Sequence, residues 1–131
     1  MIQVLFQTES HFPVKKSVVK DAVTQALLGK ISSKAEVSVT IVGDRRMREL
    51  NNTYRKLDAT TDVLSFPQND PSQSNQPFVD HPDGIMRLGD IVVSYPEAVR
   101  EATEENKMVD DKIVELVLHG IEHLLGNHHP E

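Results

Sequence analysis

The sequence contains no cysteine, no tryptophan and no long apolar run. The absence of cysteine excludes disulfide scaffolds, Cys-based zinc fingers, thiol nucleophiles and iron–sulfur clusters, so any metal ion must bind through His, Asp or Glu. No stretch approaches the ~18 apolar residues of a transmembrane helix, and the first residues lack the basic and apolar regions of a signal peptide. These absences favour a cytoplasmic location.

The remaining composition is that of one globular domain. With 131 residues, 38% of them apolar and 26% charged, the chain suits a single domain over residues 1–131. The net charge of −6 argues against a protein that grips nucleic acid through bulk positive charge. The charge is uneven, however, because residues 1–56 carry a net +5 and residues 57–131 a net −11. A local basic patch on the second predicted helix could therefore still bind phosphate groups; it comprises Arg45, Arg46, Arg48, Arg55 and Lys56.

The hydrophobic periodicity predicts the element order β-α-β-α-β-loop-β-α-α. Strands are predicted at 2–7, 35–42, 61–67 and 88–93, and helices at 14–28, 44–54, from a capping box at Ser94 to about 107, and from 110 onward. Asp44 is the predicted N-cap of the second helix, and residues 68–86 form a predicted long loop. The expected fold class is α/β (α+β mixed), with a small mixed sheet of about four strands packed with four or five helices.

Four of the six histidines lie in the last 13 residues. His119 and His123 are four residues apart on the most apolar helix, so their rings share one face, as in a zincin-like metal helix. Gly126 can end that helix in a left-handed turn, which would bring His129 back as a third nitrogen ligand. Three histidines with one open position are typical of catalytic zinc. His119, His123, Gly126 and His129 match the metzincin string H-E-x-x-H-x-x-G-x-x-H except at its second position.

That second position is Gly120, where metalloproteases have the glutamate that acts as general base. Glu122 instead precedes the second histidine, which gives the H-x-x-E-H order of inverzincins. A helical wheel puts Gly120 and Glu122 on opposite sides of the histidine pair. Glu122 is therefore either a base or a supporting carboxylate, and Glu115, one turn earlier, is a candidate to orient an imidazole.

Three separated blocks of this sequence resemble the YbeY family of single-domain bacterial endoribonucleases. The C-terminal block around His119, His123 and His129 is similar to the family's H-G-x-L-H-L-x-G-Y-D-H motif, with Glu122, Asn127 and His128 replacing leucine, tyrosine and aspartate. The central N-x-x-Y-R and T-D-V-L-S-F-P blocks appear at residues 51–55 and 61–67, and L-G-D-I at residues 88–91. Together the blocks span about half of the chain.

The resemblance implies one zinc ion (Zn²⁺) on His119, His123 and His129, and a functionally required arginine at Arg55. It also implies RNA as substrate, with a role in ribosomal RNA maturation, at the 3′ end of 16S rRNA, and in ribosome quality control. The implied partners are rRNA and ribosomal proteins. Asp62 and Asp90 are further candidates to support the site from neighbouring strands, although lone aspartates are more often caps or turn residues.

Two other functions are compatible with the same residues. A zinc metallopeptidase would use Glu122 as its base, and a non-catalytic ribosome assembly factor would use zinc only for structure. Without the resemblance to the family, the simpler interpretation of Arg55 is that it forms a salt bridge on the surface of a helix.

Overall fold

The computed structural model describes residues 2–31, 34–68 and 84–126. In these ranges the chain forms eight elements in the order β1 (Ile2–Thr8), α1 (Lys16–Leu27), β2 (Lys34–Val42), α2 (Asp44–Arg55), β3 (Val63–Pro67), β4 (Ile85–Ser94), α3 (Tyr95–Glu105) and α4 (Val109–Leu124). The expected α/β class and the order of elements are confirmed.

The four strands form one mixed sheet in the order β1-β2-β4-β3. The pairs β1–β2 and β2–β4 are parallel, whereas β3 runs antiparallel to β4. Because β1 and β3 come first and last in this order, they are the two edge strands of the sheet within the described part of the chain. The position of β3 matters most for the site, because its outer side pairs with no strand of the described ranges.

The two faces of the sheet bury different helices, because successive side chains of a strand point to opposite faces. Ile91 and Val93 of β4 join the main core with α1 and α4, whereas Val92 joins a smaller cluster with Met47 of α2. α4 buries seven residues, more than any other described helix, as its almost entirely apolar sequence predicts. α2 and α4 thus lie on opposite faces of the sheet and both reach β3.

The capping box that begins α3 is confirmed. The Ser94 hydroxyl accepts a hydrogen bond from the Glu97 backbone N–H at 3.3 Å, and Pro96 lies in the first turn. The predicted cap of α2 is wrong, since the N-cap is Gly43 and Asp44 is the first helical residue. The Asp44 carboxylate is occupied instead by the side chains of Thr60 (3.3 Å), Ser94 (3.2 Å) and Arg100 (3.1 Å).

Several element boundaries differ from the sequence prediction by one to three residues; α1 is Lys16–Leu27, β3 begins at Val63 and α3 ends at Glu105. β4 begins at Ile85, inside the predicted loop, because Ile85 and Met86 pair with Lys34 and Ala35 of β2. α4 begins at Val109 after Met108 rather than at residue 110. Most of the predicted loop, residues 69–83, lies outside the described residues.

Gly89 allows an irregular step in β4. Glu36 of β2 pairs with Arg87 and Val37 with Gly89, so Leu88 is an extra residue in the ladder. Gly89 has a φ of +140°, and a Cβ there would lie 2.2 Å from the Phe66 carbonyl oxygen of β3. Only glycine fits this position, which explains its place in the L-G-D-I block.

None of the described helices is both long enough and apolar enough to cross a membrane.

Candidate active site

His119 and His123 lie next to each other near the C-terminal end of α4, as their spacing predicts. Their ring centroids are 4.7 Å apart with an interplanar angle of 62°. Gly126 has a φ of +89°, so the predicted left-handed turn after the helix is confirmed. His129 and its neighbour His128 lie outside the described residues, and no three metal-binding side chains cluster among those that are described. The third ligand therefore stays a prediction.

Gly120 brings α4 close to the sheet. A Cβ at this position would lie 3.0 to 3.1 Å from three side-chain carbons of Ile91 in β4. A glutamate at this second position of the histidine string would therefore crowd Ile91, which is a physical reason for glycine here. The close approach also sets the height of His119 and His123 above the edge of the sheet.

A cleft of about 430 Å³ opens between the histidines and the edge strand β3. Its walls are formed by Arg55 at the end of α2, by residues 61–65, and by His119 and His123 of α4. We call this space the arginine cleft. The tertiary structure thus brings Arg55 together with the two histidines of α4, although more than 60 residues separate Arg55 from them in the sequence.

Arg55 differs from the other arginines of α2 in having no hydrogen-bond or ion-pair partner among the described residues. Arg45 and Arg46 contact Glu49 at 3.7 and 3.3 Å, and Arg48 binds both carboxylate oxygens of Asp58 at 2.7 and 3.1 Å. Three of the five residues of the predicted basic patch are thus paired with acids. Arg55, the one arginine of α2 without such a partner among the described residues, lines the cleft.

Two contacts and one backbone conformation define the end of α2 that carries Arg55. The buried Asn51 side chain donates a hydrogen bond from Nδ2 to the Ala59 carbonyl at 2.8 Å. The Tyr54 ring packs against Phe66 of β3 with a centroid distance of 4.9 Å. Lys56 ends the helix in the left-handed conformation, with a φ of 60°. The N-x-x-Y-R block therefore anchors the helix end to β3 and to the segment before it.

A second cleft, also of about 430 Å³, lies on the other side of His119. We call it the acidic cleft, because its lining includes Asp62, Glu101, Glu115 and Glu122. Glu122 lines this acidic cleft and not the arginine cleft, so Gly120 and Glu122 face opposite sides as the helical wheel predicts. Glu115 also lines it, but its carboxylate binds Lys107 at 2.7 Å and Lys112 at 3.4 Å. The prediction that Glu115 orients an imidazole is not supported, because lysines hold its oxygens.

Asp62 lines both clefts and connects them. Its Oδ1 accepts a hydrogen bond from the Val63 backbone N–H at 2.7 Å. Burial raises the pKa of the neighbouring Glu101 carboxyl, and a hydrogen bond and charge repulsion from Asp62 raise that pKa further, against the opposing effect of Lys112. The candidate role of Asp62 beside the site is consistent with this position, whereas Asp90 is exposed and lines neither cleft.

Sequence reasoning missed that the backbone of β3 forms a wall of the arginine cleft. The Asp62 carbonyl accepts from Ser94 N–H at 2.9 Å and Gln68 N–H donates to the Leu88 carbonyl at 3.1 Å, so the even-numbered residues face β4. Alternate residues of an antiparallel strand point their N–H and C=O groups to opposite sides, which turns the N–H of Ser65 outward. Pro67, which is tolerated mainly at sheet edges, is the one sequence signal of this arrangement.

Comparison with known proteins identifies relatives along nearly the whole chain. The sequence profile described as Endoribonuclease YbeY matches residues 5–131. Proteins named Endoribonuclease YbeY from Moorella thermoacetica and Roseiflexus castenholzii are 43% and 38% identical over 99 and 117 residues, or 76% and 88% of this chain. The chain spans 63% and 71% of the lengths of these two relatives.

A solved structure supports the same relationship. The solution structure of TM1509 from Thermotoga maritima matches this fold with a TM-score of 0.61 and 26% sequence identity. The match covers 99% of this chain and 75% of that one.

Proposed function

Because this chain belongs to the YbeY family of endoribonucleases, we propose that it is a zinc-dependent, single-strand-specific endoribonuclease that matures ribosomal RNA at the 3′ end of 16S rRNA and acts in ribosome quality control. The observation that carries the proposal is the shared cleft of Arg55, His119 and His123. An unpaired guanidinium beside two adjacent imidazoles suits a phosphodiester better than an uncharged substrate.

The donor set of the cleft fits a zinc ion. His119 and His123 offer two neighbouring imidazoles, which zinc prefers, and His129 would supply the third ligand. When bound by three neutral histidines, zinc supplies a Lewis acid and lowers the pKa of bound water toward neutrality. His119 is exposed and His123 is half-buried, so substrate can reach the pair from the cleft.

Arg55 would bind the scissile phosphate. Its planar guanidinium can donate two parallel hydrogen bonds to phosphate oxygens, and it loses no ion pair with a described residue in doing so. The outward N–H of Ser65 lies in the same cleft wall and is placed to donate to an oxygen of the same backbone. Both groups stabilise negative charge as it grows in the transition state.

The proposed partners are rRNA and ribosomal proteins, which would place the enzyme in the bacterial cytoplasm. Three of the four arginines of α2 are already paired with acids, so we expect α2 to recognise RNA locally, at the cleft.

Glu122 keeps a second enzymatic candidate open, a zinc metallopeptidase. Its carboxylate lines the acidic cleft beside His119, within the region where a base could act. If the chain is a peptidase, Glu122→Gln abolishes peptide cleavage and RNA is never cut.

The third candidate function is a non-catalytic assembly factor with structural zinc. If the chain is such a factor, the domain unfolds when the metal is removed and shows no metal-dependent hydrolysis.

The role of Arg55 is tested with Arg55→Ala and, as a matched control on the same helix, Arg45→Ala. We expect Arg55→Ala to lower the rate of RNA cleavage by about 10²- to 10³-fold, the usual loss for one donor to a developing anion, with an unchanged zinc content. Arg45 is exposed and contacts Glu49, so its replacement should leave the cleavage rate near that of the wild type. Equal rates for both variants would contradict the proposal.

The metal site is tested with His119→Ala. We expect the purified wild-type protein to contain one zinc ion by metal analysis, and the variant to lose both the zinc and the cleavage of single-stranded RNA. Zinc that is bound by the wild type without any cleavage of RNA would favour the assembly factor instead.

A further inference from the structure

We propose that the ring of Tyr54 is a stacking platform for an unpaired RNA base next to the phosphate that Arg55 binds. This inference rests on the proposed function, because it assumes a single-stranded RNA substrate. It adds that Tyr54, beside the arginine cleft, would recognise a base of that substrate. It assigns a binding role to a residue that the histidine and arginine chemistry does not use.

Tyr54 has the most exposed side chain among the described phenylalanine and tyrosine residues. Its exposed fraction is 63%, whereas the other four described aromatic side chains are half-buried; these are Phe6, Phe12, Phe66 and Tyr95. Tyr95 shows the usual arrangement, because its ring stacks on Phe12 with centroids 4.7 Å apart. A large ring left open to solvent is a candidate contact surface.

The ring is nevertheless held in place. Its centroid lies 4.9 Å from that of Phe66 with an interplanar angle of 59°, a tilted contact typical of favourable aromatic pairs. Phe66 itself packs against the cluster of Val42, Met47, Leu64 and Val92. Tyr54 therefore presents a rigid surface, which lowers the entropy that a base must overcome to stack on it.

The platform adjoins the arginine cleft on both chain segments. Tyr54 immediately precedes Arg55, and Phe66 immediately follows Ser65, and both Arg55 and Ser65 line the cleft. A nucleotide carries its base one sugar away from its phosphate. A phosphate bound by Arg55 therefore places an adjacent base within reach of the neighbouring ring.

The Tyr54 side chain carries no charge, so its own contribution to RNA binding would come mainly from stacking. The nearest described arginine on the helix besides Arg55, Arg48, is held by both carboxylate oxygens of Asp58. Stacking on an aromatic ring tolerates any base but requires that the base be unpaired, because paired bases are already stacked in the helix. The platform would thus contribute to preference for single strands without sequence specificity.

The first test uses the absence of tryptophan from the chain, so that Tyr54→Trp introduces a single fluorophore. In a His119→Ala background, which keeps the RNA intact, we expect a single-stranded oligoribonucleotide to quench the tryptophan emission. A duplex of the same sequence should quench far less. Met108→Trp is the control, because Met108 is 73% exposed at the other end of α4, about 16 Å from His119 along the helix axis. Equal quenching by strand and duplex, or equal quenching at both positions, would overturn the proposal.

The second test separates binding from structure. We expect Tyr54→Leu to raise the KM for single-stranded RNA about tenfold or more, with a smaller change in kcat, and Tyr54→Phe to restore the KM because it keeps the ring. If Tyr54 only covers Phe66, Tyr54→Leu lowers the melting temperature and leaves the KM unchanged, which overturns the platform while RNA cleavage still stands. Quenching by RNA in a protein that never cleaves it would overturn the proposed function and support the platform.

Discussion

The four arginines of α2 show how far a single residue can be interpreted from sequence. All four belong to the predicted basic patch, and each suits either a salt bridge or a phosphate contact. The structure distinguishes them. Arg45 and Arg46 form ion pairs with Glu49, and Arg48 forms one with Asp58, whereas Arg55 lines the arginine cleft. Glu49 is a neighbour on the helix and could have been anticipated as a partner. Asp58 becomes one only because the chain turns after Lys56, and that turn is a tertiary feature.

Gly89 gives a prediction at the same scale. Gly89→Ala should lower the free energy of unfolding by roughly 3 kcal/mol or more, since the new Cβ would collide with the Phe66 carbonyl oxygen in a backbone conformation that L-residues rarely adopt. Urea denaturation measures the change. The expected displacement of β3 should also reduce cleavage, since β3 forms a wall of the cleft.

Gly29→Ala is the matched control for strain without collision. Gly29 has a φ of +86°, and a Cβ there would meet nothing within 4 Å. We expect a loss of only about 1–2 kcal/mol, the cost of the left-handed conformation itself. A loss as large as that of Gly89→Ala would show that strain, and not the approach of β3, makes Gly89 necessary.

At the scale of elements, Lys112 joins α3 to the helix that carries the histidines. Its side chain is buried, and its Nζ lies 3.2, 2.7 and 3.4 Å from carboxylate oxygens of Glu101, Glu105 and Glu115. Burial alone would lower the pKa of Lys112, but the hydrogen bonds and charges of these glutamates outweigh it and raise the pKa. The periodicity predicted both helices, yet it gave no sign of this contact, because a lysine on an amphipathic helix is usually solvated.

Lys112→Met should lower the free energy of unfolding by about 1–2 kcal/mol at neutral pH, because it removes the buried partner of three partly exposed glutamates. The pH dependence follows from the carboxylates. The pKa values of Glu105, bonded to Lys112 and Lys107, and of Glu115, bonded to Lys107, are lowered below the usual 4.5. Their stabilising contribution is therefore present above pH 4.5 and is lost as the pH falls through the lowered values.

The difference in stability between wild type and Lys112→Met should accordingly shrink as the pH falls below 4.5. Chemical denaturation at a series of pH values measures it. Lys107→Met serves as the comparison, because Lys107 binds two of the same glutamates but is 41% exposed and its pairs are screened by water, so its replacement should cost less stability than that of Lys112. A difference that stays constant into acid would contradict the assigned role of the glutamates.

At the scale of the whole molecule, the uneven charge decides what kind of nucleic-acid binding is possible. The net charge of −6 excludes a strongly basic, non-specific binder, as the composition suggests. Within α2, the positive half of the sequence does not form a broad basic surface, because three of the four arginines are paired with acids. We therefore expect RNA binding to depend mainly on the groups around the arginine cleft.

The salt dependence of RNA binding tests this conclusion. Each phosphate neutralised on a single strand contributes a slope of about −0.7 to a plot of log K against log salt concentration. With Arg55 and one or two further contacts, we expect a slope between about −1.4 and −2.1, and Arg55→Ala should make it shallower by about 0.7. Fluorescence anisotropy with a labelled oligoribonucleotide measures the slope. A steep slope that Arg55→Ala leaves unchanged would point to a basic surface elsewhere.

The sequence by itself determined the α/β class, the order of strands and helices, the capping box at Ser94, and the adjacency of His119 and His123, because each depends on residues a few positions apart. Only the tertiary structure decided that Arg55 meets those histidines, that Lys112 is buried among glutamates, and that β3 is an edge whose backbone lines the cleft. The physical reason is that local periodicity fixes which face of an element is apolar. Which distant elements then share that face depends on the packing of the whole sheet.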